Sequence, residues 1–183
     1  VHTQLRDAVA EATTELSVDL RAAGAARPPT PRRWPRLEEL TAASRDFASL
    51  EALGAGTWHL LRSLCLEYVY GDNLVLEAPA ARALAAALRR MPALETLDLL
   101  GAKIPDASAQ ELFCADVAPR LRELMIVDAD LTLVAARLLA STGWGLKGLD
   151  LHSCPNLGAA GVAALVAAPT FALRRLALQD CAL

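Results

Sequence analysis

The sequence predicts an open α/β solenoid, with a parallel sheet on its concave face and helices on its convex face. The first observation is a phrase of the form leucine-x-x-leucine-x-aliphatic, which recurs at intervals of 24 to 33 residues. The second is a change between copies from the apolar period of a strand to that of a helix. The third is composition, since 54% of the 183 residues are hydrophobic and 21% are charged, which excludes a disordered chain.

The repeated phrase places two aliphatic side chains on one face of a strand. The second leucine and the aliphatic residue two positions later share that face, because strand side chains alternate. Five strong copies span 61–66, 94–99, 121–126, 146–151 and 173–178, and weaker ones begin at Leu37 and Thr13. The phrase predicts parallel strands near residues 39–42, 63–67, 96–100, 123–127, 148–152 and 175–179.

Apolar residues recur at helical spacing between the strand phrases. The predicted helices cover residues 81–90, 109–117, 134–141 and 160–167. Asp106 and Thr132 stand where N-cap residues are expected, and a proline such as Pro92 stops the helix before the next strand. A single strand–helix unit is too small to bury its apolar face, so we expect stacked units to share one continuous core.

Residues 1–36 are less regular than residues 37–183, which hold about six strand–helix units. We interpret 1–36 as an irregular N-terminal repeat or cap with an Arg/Pro-rich loop. Two readings stay open: a helix over 4–12 with a strand over 15–20, or one amphipathic helix over 3–23. Residues 21–36 carry Arg and Pro without an acid. This favours a solvated loop, with a basic contact strip for an acidic partner or nucleic acid as the alternative.

With these repeats the chain resembles the leucine-rich-repeat proteins, most closely their ribonuclease-inhibitor-like and cysteine-containing classes. The family phrase continues to an Asn or Cys, a position that Cys154 and Cys181 occupy here. The resemblance implies a curved horseshoe. Ala102 and Ala129 replace the Asn or Cys in two repeats and lack the hydrogen bonds of an Asn side chain. We therefore expect the turns after those strands to vary in shape.

The sequence contains no recognisable catalytic constellation. The three histidines lie in different repeats, and no Gly-rich phosphate loop, nucleophile elbow or metal-type cysteine pair occurs. We expect no enzyme activity, cofactor, metal or small-molecule substrate. Residues 151–173 lack charge, but their Pro, Gly and polar residues argue against a membrane span. Widely spaced cysteines favour an intracellular, reducing compartment, either the cytoplasm or an organelle matrix.

The candidate partner-binding residues lie between the core leucines, on the predicted concave face. They place an apolar centre among acidic residues, beside a mainly basic row that precedes the strands. The alternative is that Leu100 and Val127 turn inward where their strands end. The six candidates are Asp98, Leu100, Met125, Val127, Asp150 and His152.

Two function classes fit such a surface. The first is a non-catalytic scaffold for protein–protein interaction, as a structural or accessory subunit of a larger assembly. The second, implied by the resemblance, is the substrate-recognition module of an F-box-type ubiquitin ligase, although no helical adaptor-binding box precedes the repeats. No closing helix follows the last strand phrase, so we also expect a partner or further residues to cover the C-terminal edge at 177–183.

Overall fold

The computed structural model describes residues 12–19, 29–44, 53–68, 74–114 and 117–181. Within them, seven strands form one parallel sheet whose strand order follows the chain, which confirms the predicted parallel strands. The strands are β1 (Glu15–Asp19), β2 (Glu39–Ser44), β3 (Ser63–Tyr68), β4 (Thr96–Leu100), β5 (Glu123–Val127), β6 (Gly148–His152) and β7 (Arg175–Gln179). The helices lying wholly within these ranges are α1 (Ala78–Leu88), α2 (Asp106–Leu112), α3 (Leu133–Ala140) and α4 (Gly158–Val166).

Equivalent residues of successive phrases stand side by side in the sheet. Leu97 pairs with Leu124, which pairs in turn with Leu149, so the second leucines form a continuous ladder. The register begins before the strands, because the Arg62 carbonyl accepts hydrogen bonds from the N–H groups of Glu95 and Thr96, at 2.8 and 2.9 Å. Each strand residue therefore lies beside its counterpart in the next repeat.

One face of the sheet is buried against the helices. Burial alternates along β4 and β5, where the inward leucines and isoleucine are at most 4% exposed. The inward faces of α1, α2 and α3 join the same core cluster. Full burial of one such side chain stabilises the fold by about 1.5–3 kcal/mol, so this layer holds the repeats together.

The two predicted N-caps have different outcomes. Thr132 caps α3, because its Oγ1 accepts hydrogen bonds from the N–H groups of Val134 and Ala135, at 3.1 and 3.3 Å. The prediction for Asp106 was wrong: it is the first residue of α2, after the N-cap Pro105. Its carboxylate instead accepts a 2.6 Å hydrogen bond from the Thr132 hydroxyl and so joins two successive repeats.

The turns after β4, β5, β6 and β7 all begin with a residue of positive φ. The φ angles are +80° at Gly101, +60° at Asp128, +52° at Ser153 and +55° at Asp180. The expected variation appears two residues later, because Asp130 after β5 also has a positive φ, of +48°, whereas Lys103 and Pro155 at the equivalent positions do not. Gly101 has a further constraint, because a Cβ atom there would collide with the carbonyl oxygen of Tyr68. The same left-handed backbone conformation therefore ends these four strands, although the residue that adopts it differs.

The N-terminal strand reading is confirmed within the described residues. β1 pairs in parallel with β2, so a single helix over residues 3–23 is wrong at least from Glu15 to Asp19. The alternative helix over residues 4–12 lies outside the described residues except for Ala12, which is helical. The sheet therefore reaches into the N-terminal segment in the same register as in the later repeats.

The last unit is less well covered than the others. Leu176 and Leu178 of β7 are only half-buried, whereas the matching residues of β6, Leu149 and Leu151, are fully buried. The helical spacing of residues 160–167 predicts an inward position for Val166 of α4, but its side chain is 63% exposed. Among the described strands β7 pairs with β6 alone, so no described strand covers its other edge.

The two faces of β5 predict unequal effects of truncation. We expect Leu124→Ala to lower the free energy of unfolding by about 2–5 kcal/mol, because it leaves a cavity between sheet and helices. Leu124 is 2% exposed, whereas Met125 lies on the opposite face and is half-buried. Met125→Ala should cost about 1 kcal/mol or less. Urea unfolding of both variants measures the difference, and equal losses would contradict this assignment of the faces.

Candidate functional site

The sheet face away from the helices carries all six candidate residues, and we call it the open face. Along each strand it takes every second residue, such as Thr96, Asp98 and Leu100 of β4. Leu100 and Val127 are half-buried and lie on this face, so the inward alternative for them was wrong. The register places Asp98, Met125 and Asp150 in one row and Leu100, Val127 and His152 in the next.

Asp150 is the most deeply buried charged residue of the open face. Its side chain is only 8% exposed, between Met125 of β5 and Ala177 of β7. The Oδ1 atom has no hydrogen-bond partner among the described residues. His152 Nε2 lies 3.2 Å from Oδ1, which is ion-pair distance for a protonated imidazole but is not counted as a hydrogen bond. A buried acceptor without a donor costs about 1–3 kcal/mol.

An ion pair crosses β6 next to Asp150. Arg175 Nη2 of β7 donates a 2.9 Å hydrogen bond to Glu123 Oε2 of β5. The two side chains meet above Gly148, where a Cβ atom would overlap the Glu123 carboxylate. Nη1 of the same guanidinium lies 4.0 Å from Asp150 Oδ2, so it only approaches that carboxylate.

The positions of Glu123 and Arg175 were missed by the sequence reasoning. It assigned the residues after the second leucine to the open face but not the residue before it. The signal was present, because strand alternation places residues 123 and 175 on the same face as 125 and 177. We define the Asp150 cluster as the five residues Asp98, Glu123, Asp150, His152 and Arg175.

Burial, together with neighbouring acids, raises the pKa of two groups on the open face. The pKa of Asp98 is raised, first by burial, while Arg175 lowers it and Asp150 raises it. The pKa of Cys65 is raised to about 11 by burial, with contributions from Asp98 and from Glu67. Neighbouring carboxylates thus disfavour negative charge on both Asp98 and Cys65.

Charge is unevenly distributed between the open face and the rest of the chain. Among the open-face positions of the described strands, Arg175 is the only Lys or Arg. The whole chain has a net charge of −3, so the acidic balance of this face is offset elsewhere. The open-face carboxylates with described side chains are Glu15, Glu39, Glu67, Asp98, Glu123 and Asp150.

The predicted basic row lies in the loops that enter the strands. Arg62 approaches Glu38 at 3.8 Å and Glu95 at 3.5 Å, so part of its charge is compensated locally. Lys147 and Arg174, at the equivalent positions further along the sheet, are exposed. The open face therefore has a basic border at the edge where the strands begin.

The Arg/Pro-rich segment is described only from residue 29 onward, and residues 21–28 of the proposed basic strip lie outside the described ranges. Arg32, Arg33 and Arg36 are exposed, and the Arg33 guanidinium lies 5.6 Å from the centre of the Trp34 ring. This described part is consistent with a solvated loop that closes on its own aromatic residue.

The comparisons with known proteins leave the family open. No protein-family model matches the chain, and the search of curated proteins finds no match.

In the described ranges, no helix combines the length and apolar character that crossing a bilayer requires. The same ranges contain no group of three or more His, Cys, Asp or Glu residues placed to hold a metal ion.

The raised pKa of Asp98 predicts that its carboxylate costs stability at neutral pH. A group whose folded pKa lies above its unfolded value loses stability as the pH rises through that window. We therefore expect Asp98→Asn, which keeps the shape without the charge, to be more stable than the parent at about pH 7. The gain should shrink toward about pH 4, where the carboxyl group protonates in both states.

Urea unfolding across this pH range measures the effect. Glu67→Gln, at an exposed position of the same face, is the matched control and should change stability less. A lower stability of Asp98→Asn at neutral pH would mean that attraction to Arg175 outweighs burial and the repulsion from Asp150.

Proposed function

We propose that the chain is a non-catalytic scaffold for protein–protein interaction, acting as a structural or accessory subunit of a larger assembly. The observation that carries this proposal is the open face. It sets the half-buried apolar side chains of Leu100, Met125 and Val127 beside carboxylates that are already partly desolvated. Protein interfaces combine an apolar centre with a polar surround in this way.

We further infer that the stacked units curve into a leucine-rich-repeat solenoid with the open face as its concave side. The constant register and the recurring positive-φ turn support this inference. Curvature follows from packing, because a layer of helices is wider than a layer of strands and lies on one side of the sheet. A concave sheet would surround a partner with several strands at once.

The edge near residues 177–183 is the second contact surface that we propose. The half-buried leucines of β7 and the exposed Val166 support it, because a protein partner would remove their apolar area from water. The unpaired side of β7 could also accept hydrogen bonds from an added strand. Residues 182–183 of this edge lie outside the described ranges.

We place the protein in an intracellular, reducing compartment. All four cysteines are free, and Cys154 is fully buried in the repeat core. Burial raises the pKa of Cys154 to about 11, which keeps it a thiol. These are the properties of packing cysteines, and such residues persist best where thiols are kept reduced.

A pair of photo-crosslinking variants tests the open face as the partner site. One variant carries the crosslinking side chain in place of Met125, and its control carries it in place of Val134, which is 45% exposed on α3. We expect proteins in an extract of the native source to crosslink at position 125 at least about tenfold more than at 134. Mass spectrometry of the adducts measures the ratio.

Substitution provides the second half of this test. Met125→Arg should abolish co-purification of the crosslinked protein, because it places bulk and charge in the apolar centre, whereas Val134→Arg should not. Equal crosslinking at both positions, or retention of the partner by Met125→Arg, would refute the proposal. Recovery of a ubiquitin-ligase adaptor as a stoichiometric partner would favour the F-box-type alternative over a structural subunit.

A further inference from the structure

The chemistry of the open face also indicates which kind of partner it accepts. We propose that the Asp150 cluster is a recognition site for a Lys or Arg side chain presented by a partner protein. This inference rests on the proposed function and adds to it the charge and shape of the group that enters.

The Asp150 cluster contains more carboxylates than guanidinium groups. It holds the carboxylates of Asp98, Glu123 and Asp150 against one guanidinium, that of Arg175. The guanidinium is committed to Glu123 by the 2.9 Å hydrogen bond, and it stays 4.0 Å from Asp150. The guanidinium therefore gives Asp150 no hydrogen bond, although His152 Nε2 lies 3.2 Å from its Oδ1, and Asp150 disfavours negative charge on Asp98.

Within the described part of the chain, Asp150 lacks a hydrogen-bond donor at one of its carboxylate oxygens. Its side chain is more than nine-tenths buried, on the open face, and Oδ1 has no hydrogen-bond partner among the described residues. An ammonium or guanidinium group would supply a charge-assisted donor, which is about twice as strong as a neutral one. His152, which contacts Oδ1 and is 27% exposed, is the side chain that must turn to admit it.

An apolar side chain lies between the two acids. Met125 lies between Asp98 and Asp150 in the same row, and neighbouring strands are about 4.8 Å apart. The two carboxylates thus flank a half-buried thioether. Lys and Arg pack their aliphatic stems on apolar surface while the charged end reaches a polar group. Met125 would contact the stem, and the carboxylates of Asp98 and Asp150 would bind the charged end.

The same balance disfavours a polyanionic partner at this face. A nucleic acid would bring phosphates to a surface whose open-face acids greatly outnumber its single guanidinium, and the basic row borders the face at one edge only. Charge complementarity thus favours a basic protein segment, and its attraction should weaken as salt screens the exposed acids.

The two methionines of the chain provide a direct readout. Met125 is on the open face, whereas Met91 is 1% exposed in the core and serves as an internal reference. With methionine methyl groups carbon-13 labelled, the full chain is titrated with a peptide of alternating arginine and leucine. We expect the Met125 methyl resonance to shift and saturate while that of Met91 stays fixed. A peptide with glutamine in place of arginine should bind at least about tenfold more weakly.

Matched charge variants locate the site. The double variant Asp98→Asn/Asp150→Asn should weaken binding of the arginine peptide about tenfold or more. The control Glu77→Gln/Glu111→Gln removes two carboxylates at α1 and α2, on the helix side, and should bind like the parent. Asp98→Asn alone, which we expect to be stable, should weaken binding in the same direction and keeps the test valid if the double variant does not fold.

Three results would overturn the inference: equal losses in the two double variants, an unshifted Met125 resonance at saturation, or tighter binding of a single-stranded oligonucleotide than of the arginine peptide at this face. Crosslinking at position 125 separates this failure from that of the proposed function. A protein partner that still crosslinks there in the Asp98→Asn/Asp150→Asn background would leave the scaffold intact and remove only the cation site.

Discussion

In-register parallel pairing of the strands is the constraint on which the rest of the structure depends. A single strand–helix unit cannot bury its own leucines, so each unit is stable only when its neighbours cover them. The leucine ladder running through β4, β5 and β6 provides this cover. It pairs equivalent residues of successive units without any shift in register. A slip of one residue would turn every buried leucine to solvent. The same constraint aligns the residues of the open face, so the binding surface that we propose is built from positions that the core leaves free.

The open face is where local stability yields to another requirement. Asp98 and Asp150 lie on the two strands that flank Met125, in the same row of the open face. Two apolar residues at these positions would not have repelled each other. Burial and repulsion from Asp150 disfavour the charge of Asp98, and Arg175 offsets part of this cost. Charged groups held in unfavourable surroundings tend to occur at functional sites, because a ligand completes their interactions. Gly148 fits this pattern, since the absence of its side chain is what lets Glu123 and Arg175 meet across β6.

Repetition explains how much of this arrangement could be predicted from sequence. The strands of the repeats were predictable because the same six-residue phrase recurs in each copy, and the six candidate residues follow from it by alternation. Side-chain partners were harder, since they depend on which residues different repeats bring together. The hydrogen bond from Thr132 to Asp106 spans 26 residues, and the pair between Arg175 and Glu123 spans 52. The exposure of Val166 was missed for a related reason, because the spacing within a helix predicts which residues share a face but not what covers them.

Arg175 decides how selective the open face can be. Its guanidinium reaches from β7 across β6 to Glu123, and so neutralises the acid at the start of the strands while leaving the middle row acidic. The partner cation that we propose would therefore meet the least compensated charge at Asp98 and Asp150, next to Met125, and would be repelled nearer the basic border of Lys147 and Arg174. Attraction and repulsion a few residues apart along the same strands restrict the position and direction in which a basic segment can lie. A uniformly acidic sheet would attract the same segment without restricting its position.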